Sequence, residues 1–417
     1  MVSRDESKAP QSHGAAVAMF IVLLLTYSLN AMDRQIFPLL LADVRKEYGF
    51  ALADAGLLST VFTLGMAVAG LPTGYLLARF SRKTVILIGI AIFSVGTVCT
   101  AYSFGFADML LYRAGTGIGE AMQLTALIAV AASYFSQYRA AAVGAVNLSF
   151  GIGAIVAPTL GTHLLTAYHT WRAPITSFGA AGFVAIVIVW LAVRPWFSEK
   201  LGTREEVRAS RGSPVLLNRN TVILTLLSIL GGLIIYGYLG LYPTFLREAL
   251  KYAPERTGSV MGIYGLGVLA SIFGGWLGDK FSPRAVLGSA FLIAAVLGYL
   301  LFHGITNFAL QSTMSFVWGL IVSGTIYVNI AGYHVKTVQA ELSSRASGLF
   351  VTSLYGAAAV AGYILGYLAS SFGWAIAADI QITAVSIAGA VLALGLDANV
   401  FAADRLEHRH IDNSSAK

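Results

Sequence analysis

The sequence predicts an all-α integral membrane protein of about twelve transmembrane helices in two pseudo-symmetric six-helix bundles. Three observations predict it. The 417 residues are 57% hydrophobic and only 11% charged, with mean hydropathy +0.74; a soluble domain carries about 25% charged residues to cover its surface. Apolar runs of about 20 residues, enough to cross a bilayer, recur along the chain. One long polar stretch, 194–219, interrupts them near the midpoint.

The first span is read at 15–40, as a true span and not a cleaved leader, because no small-residue cleavage site follows it. It is uncharged from Gly14 to Met32 and then carries Asp33 and Arg34 side by side. Spans follow at 55–78, 84–103, 107–131, 140–166 and 173–193. After the linker come 220–247, 257–278, 284–304, 308–333, 345–371 and 375–398. The expected organisation is an N-terminal bundle (1–193), a linker (194–219), a C-terminal bundle (220–398) and a tail (399–417). Pro38, Pro158 and the 44 glycines offer bends and close helix approaches.

With the N-terminus placed in the cytoplasm, cytoplasmic segments hold 19 Lys and Arg and outer segments hold 6. That bias predicts both termini in the cytoplasm and a multi-pass inner-membrane protein. The net charge of +7 belongs to these loops and does not argue for nucleic acid. A single cysteine, Cys99, excludes an intrachain disulfide and a CxxC site. Hydrolase, zinc-protease and P-loop signatures are absent, so the reading is not an enzyme, with no metal and no cofactor. The expected partners are the bilayer, protons and a small anionic substrate, for a monomer.

The halves repeat weakly. GYLLARFSRKTVI from Gly74 and GWLGDKFSPRAVL from Gly275 align at an offset of 201. These loops, the helix count and the midpoint linker resemble the major facilitator superfamily across the whole chain. The resemblance implies a cytoplasmic gate motif at Gly74, Arg79, Arg82, Lys83, Gly275, Asp279 and Arg284. The first copy departs from the motif, with Ala78 where the acid is expected, and Ser81 and Ser282 stand in place of a glycine.

The charges within spans are the informative ones. One ionisable residue at helix centre costs about 2.5–3.5 kcal/mol on insertion scales, so it usually faces a cavity or a partner. In LYRAGTGIGEAMQL, Arg113 and Glu120 lie two turns apart, about 10 Å along one face. Asp33 and Arg34 point about 100° apart, so one is expected to face the cavity and the other to pair sideways with the fourth helix. The bland reading is a structural ion pair and helix glue. Asn30, Asp33 and Arg34 with Arg113, Gly117, Gly119, Glu120 and Ala121 resemble two branches of the superfamily, the anion:cation symporters and the spinster-like lipid transporters. The first branch implies that Glu120 and Asp33 carry protons while Arg34 and Arg113 hold a substrate carboxylate. Asn147, Gln123, Tyr236, Tyr327 and Asn329 are further candidate liners of the cavity. Tyr238 and Tyr242 share the seventh span with Tyr236, Tyr333 and His334 are read as near the inner interface, and Asp379 as solvated. The leading function is proton-coupled symport of a small organic anion by alternating access. The alternatives are lysolipid or sphingoid lipid transport, and a receptor or scaffold that no longer transports.

Overall fold

The computed structural model describes residues 13–135, 139–199, 212–303, 305–339 and 342–397. The 399–417 tail and most of the linker lie outside the described residues. A chain this apolar must satisfy its backbone hydrogen bonds internally, and helices do so. Among the described residues, twelve helical spans are long and apolar enough to cross a membrane. Spans 1–6 are His13–Tyr48, Leu52–Thr60 with Phe62–Arg79, Arg82–Ala101, Phe106–Tyr134, Arg139–Tyr168 and Arg172–Ala192. Spans 7–9 are Arg219–Glu248, Pro254–Leu269 with Ser271–Lys280, and Pro283–Phe302. Span 10 joins Phe308–Trp318, a π-helix Gly319–Tyr327 and Val328–Lys336. Span 11 is Ser343–Phe372; span 12 joins Trp374–Ala378, a second π-helix Asp379–Ala384 and Val385–Ala393.

Local chemistry explains the ends. Ser81 Oγ accepts from the Thr84 N–H at 3.1 Å, and Ser282 Oγ accepts from the Ala285 N–H at 3.3 Å. The two serines that depart from the family loop are therefore helix caps, at equivalent places in the two halves. Gly49 (φ 70°) and Gly373 (φ 83°) turn the chain after spans 1 and 11 in a conformation that favours glycine. Span 1 runs eight residues past its expected end, because Asp43, Arg45, Lys46 and Glu47 continue the helix beyond the apolar run.

With twelve spans, His13 and Ala393 end on one face of the bundle, here the terminal face; the opposite face is the far face. On the far half the first six spans meet the last six at small residues. A Cβ on Gly56 would lie 2.1 Å from the Gly362 carbonyl oxygen, and one on Gly366 would lie 2.4 Å from that of Leu52. Ser59 and Thr60 donate to the carbonyls of Gly240 and Ala359, each at 2.9 Å. Gly258 of span 8 packs on Pro158 and Thr162 of span 5. Two ion pairs cross at the rim, Asp43 with Arg247 and Arg45 with Glu248. On the terminal half the picture reverses: a Cβ on Gly70, Gly74, Gly144, Gly348 or Gly356 would meet nothing within 4 Å. One hydrophobic core joins both sets of spans, while a second is confined to residues between Ala16 and Phe197.

Both described ends of the linker are tied down. Phe197 is buried against Tyr134 and Phe135. Glu199 accepts the N–H groups of Arg82 (2.9 Å) and Lys83 (3.1 Å) at the start of span 3. At the other end, Ser213 bridges to Val338, donating to the Thr337 carbonyl at 3.0 Å and accepting from Gln339 at 3.0 Å.

Candidate functional site

Span 1 places its two neighbouring charges against different helices. Arg34 Nε donates to Glu120 Oε2 at 2.7 Å. Asp33 turns away, accepting from Thr97 Oγ1 of span 3 at 2.6 Å, with Arg113 Nη1 3.7 Å from its other oxygen. All four groups are buried. The glycines between Arg113 and Glu120 make this possible. A Cβ on Gly117 would lie 1.7 Å from the Phe62 carbonyl oxygen, and one on Gly119 would lie 2.4 Å from that of Gly89, so spans 2 and 3 press directly against span 4.

The pairs differ in what they face. Arg34 lines a cavity of about 140 Å³ between the two sets of spans, on the terminal side of the far-face seam. Its guanidinium lies 5.7 Å from the Phe150 ring centre and 6.0 Å from that of Tyr27. Arg113 does not reach this cavity: its guanidinium sits 4.5 Å from the centre of Phe37 and 5.4 Å from that of Phe62, at 1% exposure. Polar atoms are left over in both pairs. Arg34 Nη2, Glu120 Oε1, Asp33 Oδ2 and two Arg113 nitrogens make no hydrogen bond to the described residues.

Asn147, Tyr236 and Tyr327 line the cavity, and Tyr327 and Tyr355 join their hydroxyls at 3.2 Å. Asn329 and Gln123 do not line it. Asn329 donates to the carbonyls of Gly274 (2.8 Å) and Thr325 (2.9 Å), tying span 10 to span 8. Gln123 accepts from Asn30 at 2.9 Å and donates to Thr26 at 3.1 Å, tying span 4 to span 1. Tyr238 and Tyr242 are buried away from it, hydrogen-bonded to Ser315 and Gln311. Tyr333 is buried near the terminal-face ends of spans 8 and 10 and donates to the Gly278 carbonyl at 3.1 Å; His334 is buried beside it. Asp379 is not simply solvated, because His303 Nε2 lies 3.3 Å from its Oδ2.

In the loop motif, Asp279 pairs with Lys336 at 2.7 Å, and Arg284 donates to the Leu396 carbonyl. Lys83 Nζ donates to the carbonyls of Trp190 and Val193 at the end of span 6, both at 2.7 Å. Gly74 and Arg79 are exposed, and Gly275 approaches Val328. Opposite Ala78 no acid comes from span 2; the carboxylate at this corner is Glu199 of the linker. Residue order alone missed Glu199 and the cavity liners Tyr27, Phe150, Tyr264, Ser271, Ser323 and Tyr355. It also missed the far-face ion pairs, although opposite charges 203 and 204 residues apart, close to the repeat offset, were a usable signal.

The Major Facilitator Superfamily model matches residues 23–362. The chain belongs to the major facilitator superfamily. Superfamily relatives include the cis,cis-muconate transport protein of Acinetobacter baylyi, 24% identical over 399 residues, covering 89% of this chain and 91% of that one. The gallate transporter of Pseudomonas putida is 23% identical over 418 residues, covering 91% and 87%. A crystal structure of a bacterial homologue of the human lysosomal transporter Spinster superposes with TM-score 0.72 at 19% identity, covering 94% of this chain and 97% of that chain. The relatives are transporters, not enzymes, and this superfamily member is a multi-pass membrane transporter with the major facilitator fold.

Proposed function

We propose that this protein is a proton-coupled symporter of a small organic anion in the inner membrane, with both termini cytoplasmic. One observation carries the reading: among the described residues Arg34 is the only charged side chain lining the cavity, and its guanidinium is shared with the buried Glu120. The four charges of Asp33, Arg34, Arg113 and Glu120 sum to zero when both acids are ionised. An anion arriving at Arg34 then competes with Glu120 for one guanidinium. A proton on Glu120 removes that competition, and the bound anion in turn favours the proton. Each ligand raises the affinity for the other by the same factor, and this reciprocity is coupling. Asp33 is the second proton candidate, and Arg113 and Thr97 hold it in place. Asn147, Tyr236 and Tyr327 contact the body of the substrate. The halves 1–193 and 220–398 rock about this site, with the loop motif on the cytoplasmic face and the far-face seam toward the outside.

The acids named for the relatives, muconate and gallate, support an anionic substrate. The lipid reading draws support from apolar walls at Leu124, Ile128, Ile235 and Leu239, and from Protein spinster of Drosophila melanogaster, 29% identical over 179 residues, 42% of this chain and 29% of that one. Size weighs against it. A cavity of 140 Å³ holds roughly ten water-sized volumes at about 10–15 Å³ each, well short of a lysolipid.

The test is Glu120→Gln in proteoliposomes with labelled gallate. Glutamine keeps the shape of a protonated glutamate and cannot release a proton. Uptake driven by a pH gradient should fall at least about tenfold, while counterflow exchange persists. Accumulation at the wild-type level would remove Glu120 from the coupling mechanism.

A further inference from the structure

Among the described residues, the wall that the second half supplies to the cavity carries no charge. Spans 7, 8, 10 and 11 supply Ile235, Leu239, Val268 and Val328 together with tyrosine and serine hydroxyls. The second membrane arginine cannot reach a ligand there, because Phe37 and Phe62 cover it and Asp33 holds it. An ionised carboxylate moved from water to such a wall loses its hydration and gains no counter-charge, at a cost of several-fold to many-fold in affinity.

That wall is also where the helices of the second half are irregular. Span 8 breaks at Ala270 (φ −72°, ψ 6°), and the next residue, Ser271, lines the cavity. Span 10 widens into the π-helix Gly319–Tyr327, which carries Ser323 to the same wall. Tyr264 and Ser323 meet hydroxyl to hydroxyl at 2.7 Å. π-helical turns in otherwise regular helices concentrate at functional sites. Two independent departures from regular helix, on spans packed against each other at Gly274 and Gly324, thus bring hydroxyls to the wall that the second half supplies to the cavity. Hydroxyls donate and accept, so they match a neutral polar group.

We propose that the site selects acids with a single negative charge and an uncharged hydrogen-bonding group at the opposite end, read by Ser323, Tyr264 and Ser271, and that it rejects dianions. The proposal rests on the cavity being the anion site. The size of the cavity sets the scale at about ten non-hydrogen atoms. The muconate of one relative's name, a dianion, falls outside the class.

Three rigid probes of one shape test this: 4-hydroxybenzoate, benzoate and terephthalate. Their dissociation constants are measured on the purified full-length protein by titration calorimetry. 4-Hydroxybenzoate should bind tightest, benzoate about tenfold weaker for one lost hydrogen bond, and terephthalate at least about a hundredfold weaker. In Ser323→Ala and in Tyr264→Phe the ratio between 4-hydroxybenzoate and benzoate should collapse toward one. Terephthalate binding as tightly as 4-hydroxybenzoate, or an unchanged ratio in both variants, overturns the proposal and leaves the anion site standing. If none of the three binds while a lysolipid does, the anion site itself fails, and the proposal with it. The wild-type ranking decides the matter even if one variant does not fold.

Discussion

Arg113 and Asp33 are a buried pair shut off from the cavity by two phenylalanines. Removing one member of a buried pair strands the other charge, at a cost of about 3–5 kcal/mol, whereas removing both is often tolerated. Arg113→Met should therefore lower the thermal midpoint of the purified protein markedly. Asp33→Asn combined with Arg113→Met should recover most of the loss, since Thr97 still has a partner at position 33. A single variant that melts with the wild type would show that the pair adds nothing to stability. The four charges were legible in the sequence, because ionised groups inside apolar runs are rare. Their pairing was not. Adjacency sets Asp33 and Arg34 about 100° apart, but which neighbour each meets depends on how closely spans 2, 3 and 4 approach, and that follows from backbone contacts at Gly117 and Gly119.

At the level of elements, the twelve spans were visible because hydropathy reports burial in lipid directly. The breaks were not. Val61 separates two helices within span 2, Ala270 interrupts span 8, and Gly319–Tyr327 is π-helical. Each depends on a local shift in backbone hydrogen bonding that leaves no compositional mark. Asn329 was misplaced for a related reason: a polar residue at membrane depth reads alike whether it faces a cavity or a neighbouring backbone. Glycine has a sharper role where span 2 meets span 11. A Cβ on Gly56 would lie 2.1 Å from the Gly362 oxygen, a backbone atom that cannot swing aside. Gly56→Val should thus hold the far face apart. In a Cys99→Ser background, a cysteine at Ser59 should react with a membrane-impermeant maleimide at least about tenfold faster when Gly56→Val is present. Equal labelling rates would mean that the seam tolerates the side chain.

Across the whole molecule, the far face is latched by two oppositely oriented ion pairs, Asp43 of span 1 to Arg247 of span 7 and Glu248 of span 7 to Arg45 of span 1. Each is partly exposed, so each contributes about 0.2–1 kcal/mol and is weakened by salt. Arg247→Asp places two acids together and should shift the population toward the far-open state several-fold, as read by distances between spin labels on spans 1 and 7. Asp43→Arg with Arg247→Asp restores opposite charges and should return the distribution to that of the wild type. A distribution indifferent to both changes would assign closure to the glycine seam alone.

That seam also bears on heat. Its contacts named above are glycine backbone, a serine and a threonine donating to carbonyls, and Thr162 packed on Gly258. Parting them uncovers peptide groups that water can take up, and it also parts the apolar side chains of the core that joins both sets of spans, Leu52 and Leu58 on one side and Leu241 and Leu246 on the other. Hydrocarbon exposure raises heat capacity, and peptide exposure lowers it. Opening the far face should therefore change the heat capacity by two opposed contributions, and where the apolar one is larger the balance between open states shifts with temperature. A cell that warms or cools would then find the resting orientation of its transporter displaced even with no ligand at mid-membrane.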